Sequence, residues 1–396
     1  EDQVQRFRMT GRRALPLARS LPLVPGLAFL VIFLIVPFGQ MVVGSLVDPV
    51  TGHASLSGIW TLFRVAGYRR VLWNTISVGL SCSVLCVVLG YPVAYWLASL
   101  DERLRRRALF LVMAPFWTSV LIRSFAWLVL LGRHGPVATF LAMFALPGGD
   151  ALLFNRVVVV AAMVHVLLPL AILSMLPAHL SIGRHLPRAA RTLGAGGADL
   201  FWRVYLPLSL RGSMAAGLLV FLMALGFFIT PMLLGGLHDV LLGELIILQI
   251  DHFQNWHFGG ALALVIVVIG AVAILGANLV FDLSGSRTAM PPRPLFLIFC
   301  DRAAWLGSAI SRRLPFLVQI ERWSAQIFAV YSWTVIVSLA VPLLAIIPMA
   351  FTKSAFLNFP PKLGTLHWFS VYFHDPQWIS ATMASFRIGF GAAVLS

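Results

Sequence analysis

The chain has 396 residues, of which 60% are hydrophobic and only 11% are charged, and its formal net charge is +15. A soluble domain has about 25% charged residues, whereas the apolar residues here gather into runs of roughly 20, the length that crosses a bilayer. The composition excludes an ordinary soluble protein and predicts an all-α polytopic membrane protein, because runs of this length favour helices over barrel strands. We expect the excess arginines to orient the spans in the lipid bilayer rather than to bind nucleic acid.

Eight apolar segments follow one another along the chain. They lie near residues 22–45, 73–98, 108–132, 156–181, 213–236, 258–282, 326–350 and 379–396. Most of the basic residues, 20 of 29, fall in alternate connecting stretches, at 1–21, 99–107, 182–212 and 283–325. Basic loops stay in the cytoplasm. The alternation therefore predicts a multi-pass membrane protein with a cytoplasmic N-terminus.

The chain after residue 326 repeats the order of elements that follows its N-terminus. Each part has a basic segment, a span, an outer loop with a tryptophan (Trp60 or Trp368) and a second span. Tandem homologous halves are typical of transporters. Between them, 283–325 is predicted to be a cytoplasmic linker, whose second part forms either a helix in the membrane interface or a loosely structured connector. Because the chain begins without methionine and stops at Ser396 inside an apolar run, we expect a fragment of a longer protein.

The segment RAARTLGAGGADLFWRVYLP, at 188–207, interrupts the apolar pattern. Residues 189–193 favour a helix, and Gly194 suits the left-handed turn that ends one. Asp199 then lies near the predicted start of a second short helix, where an anion is favourable. This second helix has an apolar face, and Pro207 opens the following span without losing a hydrogen bond. The face consists of Leu200, Phe201 and Val204.

This spacing resembles the cytoplasmic signature of binding-protein-dependent ABC importer permeases, which reads E-A-A, three residues, G, nine residues, I, one residue, L-P. Arg188 stands where the family has glutamate. In the family this element docks on the ATP-binding subunit, so the resemblance implies cytoplasmic ATP-binding subunits and a periplasmic solute-binding protein as partners. The arginine implies either a compensating partner or a degenerate coupling element. The matching positions are Ala189, Ala190, Gly194, Val204, Leu206 and Pro207.

Longer stretches resemble the permeases of spermidine/putrescine importers. Residues 114–132, 164–177, 206–236 and 241–264 are similar to the first permease subunit, and the chain from about 326 is similar to the start of its partner. The resemblance implies a type I ABC importer transmembrane domain and import of a polyamine. It also implies a six-span first half followed by two spans of a second half. The parts are then a cytoplasmic segment (1–21), a first permease domain (22–282), the linker (283–325) and an incomplete second domain (326–396).

Arg123 lies inside the third predicted span, where a charge is costly unless it faces protein or water. It either pairs with a neighbouring helix, snorkels to the outer interface or lines the translocation path. Trp117 and Trp127 flank it and either stack on an alkyl polyamine or, as is more usual in such a helix, serve in packing or as interface anchors. An arginine is an awkward ligand for a polycation, so on the path it would organise a carboxylate, Glu244 or Asp251, or indicate an anionic solute.

Catalytic motifs are absent from the sequence. No phosphate-binding G-x-x-x-x-G-K-[ST] loop occurs, so we expect no ATP hydrolysis by the chain itself, no enzymatic activity and no cofactor. Irregular spacing argues against a metal site at His252, His257, His367 and His374. The three cysteines, Cys82, Cys86 and Cys300, have no metal-ligand spacing, and core positions are expected for Cys82 and Cys86, which lie one helical turn apart. Alternatives are an importer of ferric iron, thiosulfate or an organophosphonate, a membrane-embedded enzyme and a passive channel.

Overall fold

The structure is a computed structural model that describes residues 24–47, 52–133, 135–144, 153–183, 185–194, 200–281, 302, 305, 324–352 and 364–395. Within these ranges the chain is helical, apart from loops and one isolated antiparallel bridge between Val47 and Ala54, which confirms the all-α prediction. The predicted segment 1–21, almost all of the linker 283–325, Asp199 and Cys300 lie outside the described residues.

The helices are numbered here in chain order, and three of them include or precede a wider π-helical turn. These turns are Val31–Ile35 in α1, Leu200–Tyr205 at the start of α9 and Leu248–His252 after α11. The helices are α1 Val24–Leu46, α2 Ser57–Arg64, α3 Ala66–Ser99, α4 Glu102–Met113, α5 Val120–Leu131, α6 Pro136–Ala142, α7 Arg156–Ser181, α8 His185–Thr192, α9 Leu200–Leu225, α10 Ile229–Leu234, α11 Leu242–Ile247, α12 Trp256–Phe281, α13 Ser324–Met349, α14 His367–His374 and α15 Pro376–Leu395.

Six helices among the described residues are long and apolar enough to cross a membrane: α1, α3, α7, α9, α12 and α13. Five of them coincide with predicted spans. The span predicted at 379–396 is not confirmed, because α15, which covers most of it, carries Arg387 near its middle and is not among the six.

The span predicted at 108–132 is wrong as a single helix. The structure divides it into α4, which ends at Met113, and α5, which begins at Val120. Pro115 lies just after the end of α4 and has no amide hydrogen to continue the helical ladder. The amide of Phe116 instead donates to the Met113 carbonyl at 2.8 Å and closes a turn.

The span predicted at 213–236 is also wrong in its bounds. The helix α9 begins earlier and ends at Leu225, and the short helix α10 follows after a break at 226–228. Pro231 within α10 cannot donate to the carbonyl of Phe227, four residues before it, so the ladder is interrupted there.

The described chain divides into two compact units, one formed by residues 1–68 with 246–265 and the other by 69–245 with 266–396. In the first unit, α2 approaches α12 so closely that a β-carbon on Gly58 would lie 2.9 Å from that of Ala261. The ring of His257 bridges this unit, with its Nε2 3.4 Å from the Ser57 hydroxyl and its Nδ1 3.0 Å from the Gly44 carbonyl.

The core of the second unit is formed by α3, α7 and α9. Small residues let these helices approach, as is usual where association depends on packing rather than on water exclusion. The Ser83 hydroxyl on α3 donates to the Gly217 carbonyl on α9 at 2.7 Å. Cys82 and Cys86 are fully buried and unpaired in this core, which confirms their predicted place.

The helix α13 packs in the same unit, against α4 and α5. It is tied to α3 by the Tyr331 hydroxyl, which donates to the Leu89 carbonyl at 3.0 Å, and by an edge contact between Trp96 and Trp333 at 5.6 Å. The order of elements around α13 repeats that around α1. In each case a long helix is followed by an eight-residue helix (α2 or α14) and, one residue later, by the next helix.

Candidate functional site

The first part of the signature segment lies in the short helix α8, His185–Thr192, and in the glycine turn after it. In α8 the Thr192 hydroxyl and the Leu193 amide both donate to the Ala189 carbonyl, at 2.7 Å and 3.2 Å, and close the last turn. Gly194 follows with a φ of +87°, in the left-handed region that only glycine adopts at little cost. The predicted left-handed turn at Gly194 is therefore confirmed.

The exposed surface of α8 is apolar on one side. Leu186 in α8 is 49% exposed, and Leu193, in the turn that directly follows α8, is 89% exposed and lies seven residues later, on the same side. Arg188 and Ala189 are also exposed, whereas Ala190 is half-buried. Exposed leucines on a short helix between two spans are typical of a protein–protein contact. Sequence analysis missed both leucines, although their seven-residue spacing would have found them.

The second short helix predicted after Gly194 is wrong. Leu200–Tyr205 is a π-helical turn that continues without a break into the rest of α9. Pro207 occupies the second position of the regular α-helical part, after Leu206. In an α-helix its ring would clash with the carbonyl of Arg203, four residues earlier, and the wider turn moves that carbonyl away.

The predicted apolar docking face lies at the start of α9, where its side chains are only partly exposed. Leu200, Phe201 and Val204 are all half-buried. The ring of Phe201 meets the rings of Tyr91 and Tyr95 on α3 edge-on, at 6.2 Å and 6.4 Å. Phe201 therefore contacts α3 within the second unit, and its docking role stays a prediction.

Arg123 is buried in the second unit, with 2% of its surface exposed. Its NH1 lies 3.5 Å from the Val166 carbonyl on α7, and its Nε has no hydrogen-bond partner. The burial of Arg123 against α7 favours a bond to the neighbouring helix, and snorkelling to the outer interface stays a prediction. The structure contains the expected bond between Arg123 and the neighbouring helix α7. A place for Arg123 beside the translocation path also stays a prediction.

Trp127 lies one turn after Arg123 and packs edge-on against the ring of His165 on α7, with centroids 5.7 Å apart. The Nε2 of His165 is 3.1 Å from the Leu339 carbonyl on α13, while its Nδ1 and the Trp127 Nε1 have no partner. Trp117 is in the turn before α5, exposed, and contacts Phe110. Of the three predicted path residues, Arg123 and Trp127 thus lie on one helix beside α7, and Trp127 contacts His165, which sequence analysis did not consider.

Glu244 lies on α11, outside the membrane-spanning helices. This helix is held to α3 by the Leu242 amide, which donates to the Thr75 hydroxyl at 2.8 Å. Burial raises the pKa of the Glu244 carboxyl, and a hydrogen bond with the Leu241 backbone opposes that shift. The structure gives Glu244 no ion pair with Arg123 among the residues it describes, and Asp251 belongs to the other compact unit.

Metal-binding side chains do not converge in the part of the chain that the structure describes. No group of three or more His, Cys, Asp or Glu residues lies close enough there to hold a metal ion. Two of the four histidines considered make protein contacts instead. His257 bridges its unit as described above, and the Nδ1 of His374 is 2.7 Å from the Ser370 carbonyl.

Comparison with known proteins places this helix arrangement in a family, although no protein-family model matches the chain. The chain is 36% identical over 208 residues to the spermidine/putrescine transport system permease protein PotB of Haemophilus influenzae, covering 52% of this chain and 73% of that protein. The chain belongs to the PotB family of ABC transporter permeases. The molybdenum transport system permease protein ModB of Mycobacterium bovis is 29% identical over 220 residues, covering 55% of this chain and 82% of that protein.

A solved structure agrees with the fold of this permease. A bacterial alginate ABC transporter, crystallised with an alginate pentasaccharide-bound periplasmic protein, matches with a TM-score of 0.52 at 19% identity. The match covers 68% of this chain and 94% of that chain. The predicted fold class, an all-helical ABC importer permease, is confirmed. The relatives are transport permeases rather than enzymes.

Proposed function

We propose that the permease imports a polyamine of the spermidine/putrescine class across the bacterial inner membrane. Support comes from the likeness to PotB over about three quarters of that protein. The chain would work with a periplasmic solute-binding protein that delivers the solute and with separate ATP-binding subunits in the cytoplasm. We place the N-terminus and 182–212 in the cytoplasm on the basis of the arginine distribution.

The observation that carries the docking of ATP-binding subunits in this proposal is the exposed apolar surface of α8 and the turn after it. Leu186 and Leu193 would insert into a cleft of an ATP-binding subunit, and Gly194 would set the direction in which the chain leaves that contact. Arg188 is exposed on the same helix, so an acidic group on the subunit would compensate for the family's missing glutamate. The remaining signature residues, Leu206 and Pro207, would start the span that follows.

The two-half organisation is part of the proposal. Residues 22–282 would form a first permease domain, and the repeat of a long helix, an eight-residue helix and a further helix from α13 onward would begin a second. The chain would then carry one permease domain and the beginning of a second, of the two that an importer of this type requires.

Docking through α8 is tested by co-purifying the full-length permease with its ATP-binding subunits. Leu193→Asp places a charge on the exposed face and is expected to weaken the association at least about tenfold, since a charge in an apolar contact must be desolvated. Leu237→Asp is the matched control, because Leu237 is 95% exposed in a loop assigned to the opposite side of the membrane. Equal association of both variants with the subunits would contradict docking through α8.

A second candidate function, import of an oxyanion, is favoured by Arg123, a buried cation with no acidic partner among the described residues. Uptake of labelled spermidine and, separately, of labelled molybdate by proteoliposomes containing the complete importer separates the two. Uptake of spermidine alone supports a polyamine. Uptake of molybdate alone would replace the polyamine with an oxyanion.

A further inference from the structure

The helix α8 lies in the chain between two spans, α7 before it and α9 after it. His179 lies near the end of α7 and is 3% exposed, and Tyr205 ends the π-helical turn at the start of α9. The His179 Nδ1 and the Tyr205 hydroxyl are 2.9 Å apart, and the two rings lie 5.6 Å apart. A direct hydrogen bond thus joins the two chain segments that lead into and out of α8.

The helix α3 joins the same contact. The Tyr91 hydroxyl is 2.6 Å from the Ser209 hydroxyl on α9, and Ser209 donates in turn to the Tyr205 carbonyl at 3.0 Å. Tyr91 also meets the His179 ring edge-on at 4.8 Å, and Tyr95 meets the Tyr205 ring at 4.8 Å. We call Tyr91, His179, Tyr205 and Ser209 the mount cluster. It binds three core helices together at the base of α8.

Directly beside His179, α7 is also in backbone-level contact with α9. A β-carbon on Gly212 would lie 2.2 Å from the β-carbon of Ala178, so the two helices have no free space between them at this level. A displacement of α8 cannot be absorbed by closing a gap at this contact. It must move α7 and α9 together or break the mount cluster.

Two features of the mount cluster are unusual for a purely structural contact. The Nε2 of His179 is buried without a hydrogen-bond partner, which is unfavourable and calls for an explanation. The adjoining turn Leu200–Tyr205 is π-helical, a conformation that is frequent at functional sites. The unpaired nitrogen and the π-helical turn are both expected if these helix ends have a second conformation, in which the His179 Nε2 gains a hydrogen-bond partner.

We propose that the mount cluster transmits the movement of α8 to the membrane spans, with His179 and Tyr205 as positioning residues for coupling. This inference rests on the proposed docking of ATP-binding subunits on α8. When the bond between His179 and Tyr205 is intact, a push on α8 tilts α7 and α9 as one body. When it is lost, α9 can move at its π-helical turn without carrying α7, so ATP hydrolysis proceeds without solute movement.

The test uses Tyr205→Phe in the complete importer, because this change removes the hydroxyl and keeps the ring against Tyr95. The expected result is at least about a fivefold rise in ATP hydrolysed per solute taken up, the lower range of measured coupling effects. Association with the ATP-binding subunits and the amount of folded permease should not change. Tyr372→Phe is the control, since Tyr372 loses a comparable bond, to the Thr382 hydroxyl at 2.5 Å, outside the mount cluster.

A double-mutant cycle with His179→Gln shows whether the two residues act through each other. Tyr205→Phe with His179→Gln is expected to raise the ratio no further than Tyr205→Phe alone. An unchanged ratio in Tyr205→Phe, with the ATP-binding subunits still bound, would overturn this inference and leave the proposed function intact. Failure of the unmodified permease to bind those subunits would overturn the proposed function itself. A ratio that rises equally in Tyr372→Phe would also overturn the assignment to the mount cluster.

Discussion

The contact between Gly212 on α9 and Ala178 on α7 allows a quantitative prediction for Gly212→Ala. A new β-carbon at position 212 would stand 2.2 Å from that of Ala178, against ordinary contact distances of 3.4–4 Å. Neither group is the end of a flexible side chain, so the two helices must separate locally by about 1.2 to 1.8 Å to relieve the overlap.

The expected magnitude follows from overpacking. Extra carbon in a packed interior costs about 1–3 kcal/mol, and helices in a membrane depend on close packing for their association. The separation would also loosen the bond between Ser83 and the Gly217 carbonyl, which ties α9 to α3 near the same level. We therefore expect Gly212→Ala to destabilise the permease by about 3 kcal/mol.

The exchange of the two residues provides the matched control. Ala178→Gly combined with Gly212→Ala removes the overlap and keeps one methyl group in the contact. The helix propensities change by about 1 kcal/mol in opposite directions and nearly cancel. The double variant should recover most of the stability lost in the single variant.

Thermal unfolding of the detergent-solubilised protein, followed by loss of the monodisperse species, measures both variants. A single variant as stable as the unmodified permease would refute the close contact. A double variant no more stable than Gly212→Ala would show that the loss arises elsewhere.

Two further predictions concern charged groups. Arg123→Met removes a buried cation and should preserve the stability of the permease or raise it by up to about 4 kcal/mol. If Arg123 supports the translocation path, the same change should lower solute uptake at least about tenfold. Normal uptake by the folded variant would leave Arg123 a purely structural role. Burial raises the pKa of Glu244 from its ordinary 4.5, so its ionised form is disfavoured in the folded state and stability is lost as the pH rises through the folded pKa. Glu244→Gln should therefore raise the unfolding temperature at about pH 8 and leave it unchanged at about pH 4; equal shifts at both pH values would rule out the carboxyl as the cause.

The membrane spans follow from local sequence, because an apolar run of sufficient length has few alternatives to a helix in lipid. This holds for α1, α3, α7, α12 and α13. The turn at Gly194 is local in the same sense, since its left-handed backbone is accessible at low cost to glycine alone. The breaks after Met113 and Leu225 are local too, and Pro115 and Pro231 could have indicated them.

The direction in which each side chain points was decided only by the tertiary structure. Phe201 was predicted to face a partner and packs on α3, whereas Leu193 was not considered and is exposed. Arg123 is buried on the carbonyl of Val166, and His179 meets Tyr205 across 26 residues of chain. In a soluble helix, polar and apolar faces would have indicated such orientations. In a membrane helix the lipid-facing and protein-facing sides are equally apolar, so periodicity carries no such signal, and only the packing of α3, α7 and α9 decides which residues meet.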